Sequence, residues 1–212
     1  MGLLSTAVKA AKGLLDVAPD AALNMSQASG QAFNFPSAST SQKTQLGAST
    51  IPTYRKAAEF LGSGRGLDFG AGRGQGARQI GYDTYEPFPR EGFSPDYTDT
   101  SSIPSASYDR LTSLNVLNVL DPNTREKMVG EMGRILAPGG RAVITTRGRD
   151  VLNAKGRPGP EPMSIVTTSD TYQKGYTPKE LQSYINGILG DNFTVDTTKG
   201  MGAAGVVVRR NR

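Results

Sequence analysis

The 212-residue chain contains no histidine, no cysteine and no tryptophan. Without cysteine there is no disulfide framework, no thiolate nucleophile and no Cys-ligated zinc or iron–sulfur centre. Without histidine there is no imidazole base, no Ser-His-Asp triad and no His-ligated metal, and no metal site is expected. No apolar run reaches the roughly 18 residues that a membrane-spanning helix needs, so no span is expected either. The apolar N-terminal stretch lacks a leading basic region and is interrupted by Lys9 and Lys12, which argues against a secretory signal and makes the cytoplasm the expected compartment. Chemistry is left to carboxylates, Lys, Tyr, hydroxyls, amides, backbone dipoles, or a cofactor that brings its own reactivity.

What is present suits one domain with an appendage. Residues 2–17 place Leu3, Leu4, Ala7, Val8, Ala11, Leu14 and Leu15 at helical spacing, with both lysines opposite. This predicts a short amphipathic helix that docks on the domain, another copy or a partner protein, with a membrane-surface role as the alternative. Residues up to 50 read as a flexible, Ser-, Gln-, Thr- and Gly-rich linker. Over 51–212, helical and extended segments alternate: helices over Pro52–Leu61, Gln75–Ile80, Pro122–Leu136 and Pro178–Leu189. Strands are expected over Gly66–Phe69, Tyr82–Tyr85, Asp109–Leu114, Arg141–Thr145, Phe193–Thr197 and Gly205–Arg209. Such alternation implies an α/β fold with a mostly parallel sheet, helices on both faces. Residues 147–176, rich in Pro, Gly and charge, are too long for a minimal connection and read as an inserted, substrate-side loop.

The densest signal is Gly66-Leu67-Asp68-Phe69-Gly70-Ala71-Gly72-Arg73-Gly74-Gln75-Gly76, a strand holding an acid and running into closely spaced glycines. Glycine permits positive φ and close backbone approach to a ligand. The spacing from Gly70 misses the dinucleotide fingerprint, because its third glycine position falls on Gln75. It suits a zwitterionic ligand tail, the acid handling an amino group; a purely structural glycine turn is the alternative. Sixteen residues after Gly70, Glu86 ends the next strand and can accept from both hydroxyls of a ribose. Asp99 could accept from an exocyclic amine, with Phe88 or Ile103 packing on the ring.

Together these features resemble the class I S-adenosylmethionine-dependent methyltransferases. Asp68 to Gly74 is similar to that family's first motif, Glu86 to its ribose acid, Asp99 to its adenine acid, and Arg134-Ile135-Leu136-Ala137-Pro138-Gly139-Gly140 to the turn before its fifth strand. The resemblance implies a Rossmann-like methyltransferase fold with a mostly parallel seven-stranded sheet and an antiparallel last strand. It also implies S-adenosylmethionine as cofactor, bound by Asp68, Gly70, Ala71, Gly72, Gly74, Glu86, Pro87, Phe88, Asp99, Thr100, Leu114 and Asn115. Glu86-Pro87-Phe88, Asn115 to Leu120 followed by Arg125, and Thr171 to Thr177 before Glu180-Leu181 resemble more narrowly the methyltransferases associated with DNA phosphorothioation systems and their relatives in phages and mobile elements. For a phage protein the compartment would be the host cytoplasm. Ala71, where that group commonly has Cys, and the N-terminal extension depart from the pattern.

Methyl transfer from a sulfonium is an in-line displacement in which the protein chiefly positions and desolvates the nucleophile, so the lack of His and Cys is no handicap. Asn115 and Asn118, just past the expected strand Asp109–Leu114, are the candidate catalytic pair that orients an acceptor amine or hydroxyl; capping the strand end is their other reading. Cytosine C5 methylation is excluded, because it requires a Cys nucleophile. The Asn115-Val116-Leu117-Asn118 sequence does not match the Asp/Asn-Pro-Pro-Tyr/Phe of DNA amino-methyltransferases. A basic C-terminal half, with Arg141, Arg147, Arg149, Lys155, Arg157, Lys174, Arg209, Arg210 and Arg212, permits a nucleotide or nucleic-acid acceptor or is simply a solvated face. Arg147, Tyr172, Gln173, Lys174 and Tyr176 are the substrate-side candidates. A non-catalytic S-adenosylmethionine-binding module of a phage or mobile-element assembly is the alternative function. An NAD-type oxidoreductase is disfavoured by the glycine spacing.

Overall fold

Helix α1 (Pro52–Leu61) starts on proline, where no amide bond is lost, and turns Tyr54, Ala57 and Leu61 inward. The structure, a computed structural model, describes residues 33–44 and 52–212. The expected helix at 2–17 and the outer parts of the expected linker lie outside the described residues. Within the linker, Ala38–Thr44 forms a 3-10 helix rather than free coil.

After α1 come β1 (Gly66–Phe69), α2 (Gln75–Ile80), β2 (Asp83–Tyr85), β3 (Tyr108–Leu114), α3 (Pro122–Ile135) and β4 (Leu136–Thr146). An inserted segment follows, with β5 (Gly156–Pro158), β6 (Ser164–Thr167) and β7 (Tyr172–Lys174), and then α4 (Pro178–Leu189), β8 (Phe193–Thr197) and β9 (Ala204–Arg210). The main sheet has the order β2-β1-β3-β4-β9-β8; β1 to β4 run parallel, and β9 is antiparallel to both its neighbours. Among the described residues the main sheet has six strands where seven were expected. Beyond β2 there is only a single parallel bridge between Tyr85 and Tyr97, in a segment where Pro87, Pro89 and Pro95 withhold the amides a ladder needs.

Strand periodicity divides the core. Ala142, Ile144, Val206 and Val208 face the cluster under α3 and α4, while Val143 and Val207 face Ala57 and Leu61 of α1. The Arg134-to-Gly140 segment, expected as a turn, is the last residues of α3 followed directly by the irregular start of β4, where the register against β3 shifts between Tyr108 and Arg110. The inserted loop is ordered: β5, β6 and β7 make a three-stranded antiparallel sheet, and β7 packs on the 3-10 turn Leu117–Val119 that follows β3. No helix among the described residues is long and apolar enough to cross a membrane.

Candidate functional site

In the strand order β2-β1-β3-β4, the connection leaving β1 runs to one side, to β2, and that leaving β3 runs to the other, to β4, so a crevice opens at the carboxyl ends of β1 and β3. A cavity of about 390 Å³ sits there, lined by Phe69, Tyr85 and Leu114 at the strand ends and by the loops beyond them. This is within the range of small-ligand sites.

The glycine loop is shaped by its own amides. Gly70 and Ala71 donate to the Tyr85 carbonyl at 2.8 and 3.0 Å, and Gly72 donates to Glu86 Oε2 at 2.8 Å. These bonds clamp the loop to the end of β2. Gly70 has φ of +87°, and a Cβ there would stand 2.5 Å from the Val116 side chain. Gly70→Ala is expected to cost at least about 1–2 kcal/mol from the left-handed backbone alone and to displace the Val116 wall. Chemical denaturation with and without ligand checks both, and an unchanged midpoint contradicts the role given to this turn.

Glu86 is 5% exposed, and Phe88 donates to its Oε1 at 3.0 Å. Burial pushes its carboxyl above the usual range, while the amides of Phe88 and Gly72 draw it back. A carboxylate has about four acceptor positions, so two remain for a diol. The same cavity is lined by the apolar side chains of Val116, Val119, Leu120 and Met128. A flat apolar heterocycle joined to a vicinal diol fits this division, as the nucleoside of S-adenosylmethionine requires.

Of the residues expected at the cofactor, Gly70, Ala71, Gly72, Glu86, Pro87, Phe88, Leu114 and Asn115 line the cavity. Asn115 holds φ of 59°, which Asn tolerates, and its amide donates to Thr145 O at 2.9 Å. Gly74 stands just behind as the left-handed cap of α2. Asp68, expected to handle an amino group, is wholly buried and outside the lining; it accepts from the hydroxyls of Tyr54 and Thr112. Asp99 and Thr100 are not in the lining either. Asp99 caps a 3-10 turn by accepting from Ser101 N at 2.9 Å, which holds its carboxyl below the ordinary range, and the Thr100 carbonyl is taken by Arg134.

The substrate-side residues are placed differently from expectation. None of Arg147, Tyr172, Gln173, Lys174 and Tyr176 lines the cavity. Tyr172, Gln173, Lys174 and Tyr176 are buried, so the tyrosines offer no stacking platform. Asn118, paired with Asn115 in the sequence reading, instead donates from Nδ2 to Gln173 Oε1 at 3.0 Å, inside the joint between β7 and the Leu117–Val119 turn. Lys174 donates to Gly175 O and lies over the Tyr176 ring; desolvation lowers its pKa. Arg147 is tied to Asp150 at 2.6 Å near the surface.

Sequence reasoning missed several parts of the wall, Thr124 and Met128 of α3 among them. Tyr54 of α1 lines the cavity, as do Ala38 and Ser41 from the 3-10 helix of the supposed linker. That helix is strapped down: Gln42 donates to Phe88 O at 2.9 Å, Arg90 donates to Gln42 O, and Lys43 donates to Ser169 O at 2.6 Å. Phe35 meets Tyr172 edge-on. The helical pattern around Tyr54 was legible, but its inward direction over a ligand space was not.

No protein-family model matches the chain, and no curated protein sequence does. Solved structures do. The 1,6-didemethyltoxoflavin-N1-methyltransferase of Burkholderia thailandensis, solved with 1,6-didemethyltoxoflavin and S-adenosylhomocysteine, aligns with a TM-score of 0.57 at 16% identity over 92% of each chain. An S-adenosylmethionine-dependent methyltransferase from Mesorhizobium loti aligns at 0.53 and 17% identity, over 77% of this chain and 99% of the other. An amino pentose methyltransferase from Micromonospora echinaspora, with S-adenosylmethionine bound, aligns at 0.50 and 14%, over 85% and 100%. The chain therefore has the Rossmann-like methyltransferase fold. Its structural neighbours are S-adenosylmethionine-dependent methyltransferases, some holding that cofactor or its product.

Proposed function

We propose that the protein is an S-adenosylmethionine-dependent methyltransferase. The observation that carries this reading is Glu86 at the end of β2, buried, fixed by the amides of Gly72 and Phe88, and lining a cavity that it shares with apolar side chains. Glu86 would hold the ribose hydroxyls, Val119, Leu120 and Met128 the adenine, and the Gly70–Gly74 loop the amino-acid tail. The bound cofactor supplies a sulfonium-activated methyl group. The chain's own task is to exclude water and to orient the acceptor, for which Asn115, at the cavity and without charge, is the candidate side chain.

The acceptor is an amine or hydroxyl that Asn115 can orient. Exposed Arg149, Lys155 and Arg157 beside the inserted sheet favour a nucleotide or nucleic-acid acceptor, approached from that side. Kinship with the phosphorothioation-associated group and its phage and mobile-element relatives belongs to the same proposal and rests on the sequence likenesses at Glu86 to Phe88 and Asn115 to Leu120.

Calorimetric titration with S-adenosylhomocysteine and with NAD tests the cofactor: heat is expected with the first alone. Glu86→Ala removes a charged acceptor, and hydrogen bonds to charged groups contribute about 1.5–3 kcal/mol each, so S-adenosylhomocysteine affinity should fall by at least about tenfold. Unchanged affinity means the ribose lies elsewhere. Label transfer from methyl-tritiated cofactor into DNA, RNA and small-molecule pools then identifies the acceptor; no transfer into any pool favours a binding module over an enzyme.

A further inference from the structure

Asp68 is wholly buried and has no cationic partner among the described residues; its oxygens receive only the hydroxyls of Tyr54 and Thr112, each at 2.8 Å. Neutral donors compensate a buried carboxylate incompletely, so the charge acts on whatever lies next to it. Thr112 is buried within β3, whereas Tyr54 is part of the cavity wall. With its proton directed at Asp68, the phenol oxygen has only lone pairs left to offer, and the carboxylate behind it polarises them. The tyrosine can lie there because residue 76 is glycine: a Cβ at Gly76 would come within 2.2 Å of the Tyr54 ring. Among the described residues Glu86 likewise has no cationic partner, and exposed Arg73 is the one cationic side chain in the lining. The inner cavity is thus built for a cationic group.

We propose that Tyr54, polarised by Asp68, accepts a hydrogen bond from the ammonium of the ligand's amino-acid tail and thereby selects ligands that carry that amino group. This rests on the reading of the cavity as an S-adenosylmethionine site and adds a binding residue outside the glycine motif. The motif's acid then acts through a tyrosine contributed by the preceding helix, without touching the ligand itself.

The test is a titration of S-adenosylhomocysteine and of its analogue lacking only the amino group into wild type, Tyr54→Phe and Asp68→Asn at pH 8. Wild type is expected to prefer S-adenosylhomocysteine by about tenfold or more. Tyr54→Phe keeps the ring against Gly76; it should lose that preference while binding the deaminated analogue as wild type does. Asp68→Asn should behave alike, and the double variant should be no worse than either single one, because the two side chains act as a unit. If Tyr54→Phe does not fold, Asp68→Asn carries the same comparison. Equal loss for both ligands, or a preference that survives, overturns the proposal. Glu86→Ala should weaken both ligands alike, which separates the two questions. A wild-type protein that binds neither ligand refutes the cofactor reading itself, and the Tyr54 assignment falls with it.

Discussion

Replacing Arg125 with methionine should destabilise the protein by about 3 kcal/mol, the lower end of the cost of removing one partner from a buried ion pair, because Glu161 keeps 23% of its side chain exposed. Arg125 is 1% exposed, and all its donor groups are used. Nε donates to Leu117 O at 3.1 Å and Nη2 to Leu120 O at 2.8 Å, holding the turn that carries the cavity wall. Nη1 and Nη2 hold the two oxygens of Glu161 at 3.0 and 2.8 Å, and Nη1 also reaches Tyr176 Oη at 2.7 Å. One side chain of α3 therefore fastens the end of β3 to the inserted sheet. Methionine fills the volume but strands a carboxylate and two carbonyls. Arg125→Lys should not rescue, since an ammonium cannot reproduce the planar fork. Arg125→Met combined with Glu161→Gln should cost less than the sum of the single changes. Denaturant midpoints measure this, and proteolysis within 156–174 should accelerate in step. A midpoint shift below about 1 kcal/mol, the range of exposed pairs, contradicts the anchoring role.

The elements that frame the site were legible because local chemistry marks them. Helix α4 begins with a capping box, Thr177 accepting from Glu180 N while the Glu180 side chain returns to Thr177 N, and Pro178 follows the cap. Helix α3 opens on Asp121, which caps Thr124 N, again with proline next. The bounds of α1, α2 and α4 agree with the expected ones for such reasons. The glycine loop and Glu86 were legible as well, since positive φ and an acid at a strand end leave marks in sequence.

The rest depends on contacts between distant segments. Strands β5, β6 and β7 are too short for a period-two pattern, and their order comes from pairing with one another and from Arg125. Tyr172, Gln173, Lys174 and Tyr176 read as exposed loop chemistry, but β7 buries the first three against the Leu117–Val119 turn, and Tyr176 is buried beside Arg125. Asp99 looked like a ligand contact and caps a turn. Residues Ala38–Thr44 have linker composition, yet they lie over the cavity because Gln42, Lys43 and Arg90 tie them to two separate loops.

Asp68 also makes the fold's stability depend on pH, in the direction opposite to ordinary acid denaturation. Burial raises its carboxyl from 3.8 to about 7, against the lowering effect of the Thr112 and Tyr54 hydroxyls. Between those values the folded chain binds more protons than the unfolded chain, so stability falls as pH rises. A shift of about three units at 1.36 kcal/mol each sets an upper figure of about 4 kcal/mol. For a chain of this length that is a loss in Tm on the order of 10 °C between pH 4 and pH 7.5. Glu86, also raised by burial, adds to the same slope. Glu161, Asp150, Glu131 and Asp121 are lowered, so the stability they contribute is lost only as pH falls through the ordinary carboxylate range and below. Lys174, lowered by desolvation, acts on the alkaline side. The window from about pH 5 to 7 therefore belongs chiefly to Asp68. Asp68→Asn keeps the shape and a hydrogen-bonding partner for both hydroxyls but cannot titrate, and melting curves across this window should lose most of their slope. Glu86→Gln should remove only the smaller part. If the Asp68→Asn curves keep the wild-type slope, the buried carboxyl is not the group that titrates, and the charge assigned to it behind Tyr54 must be placed elsewhere.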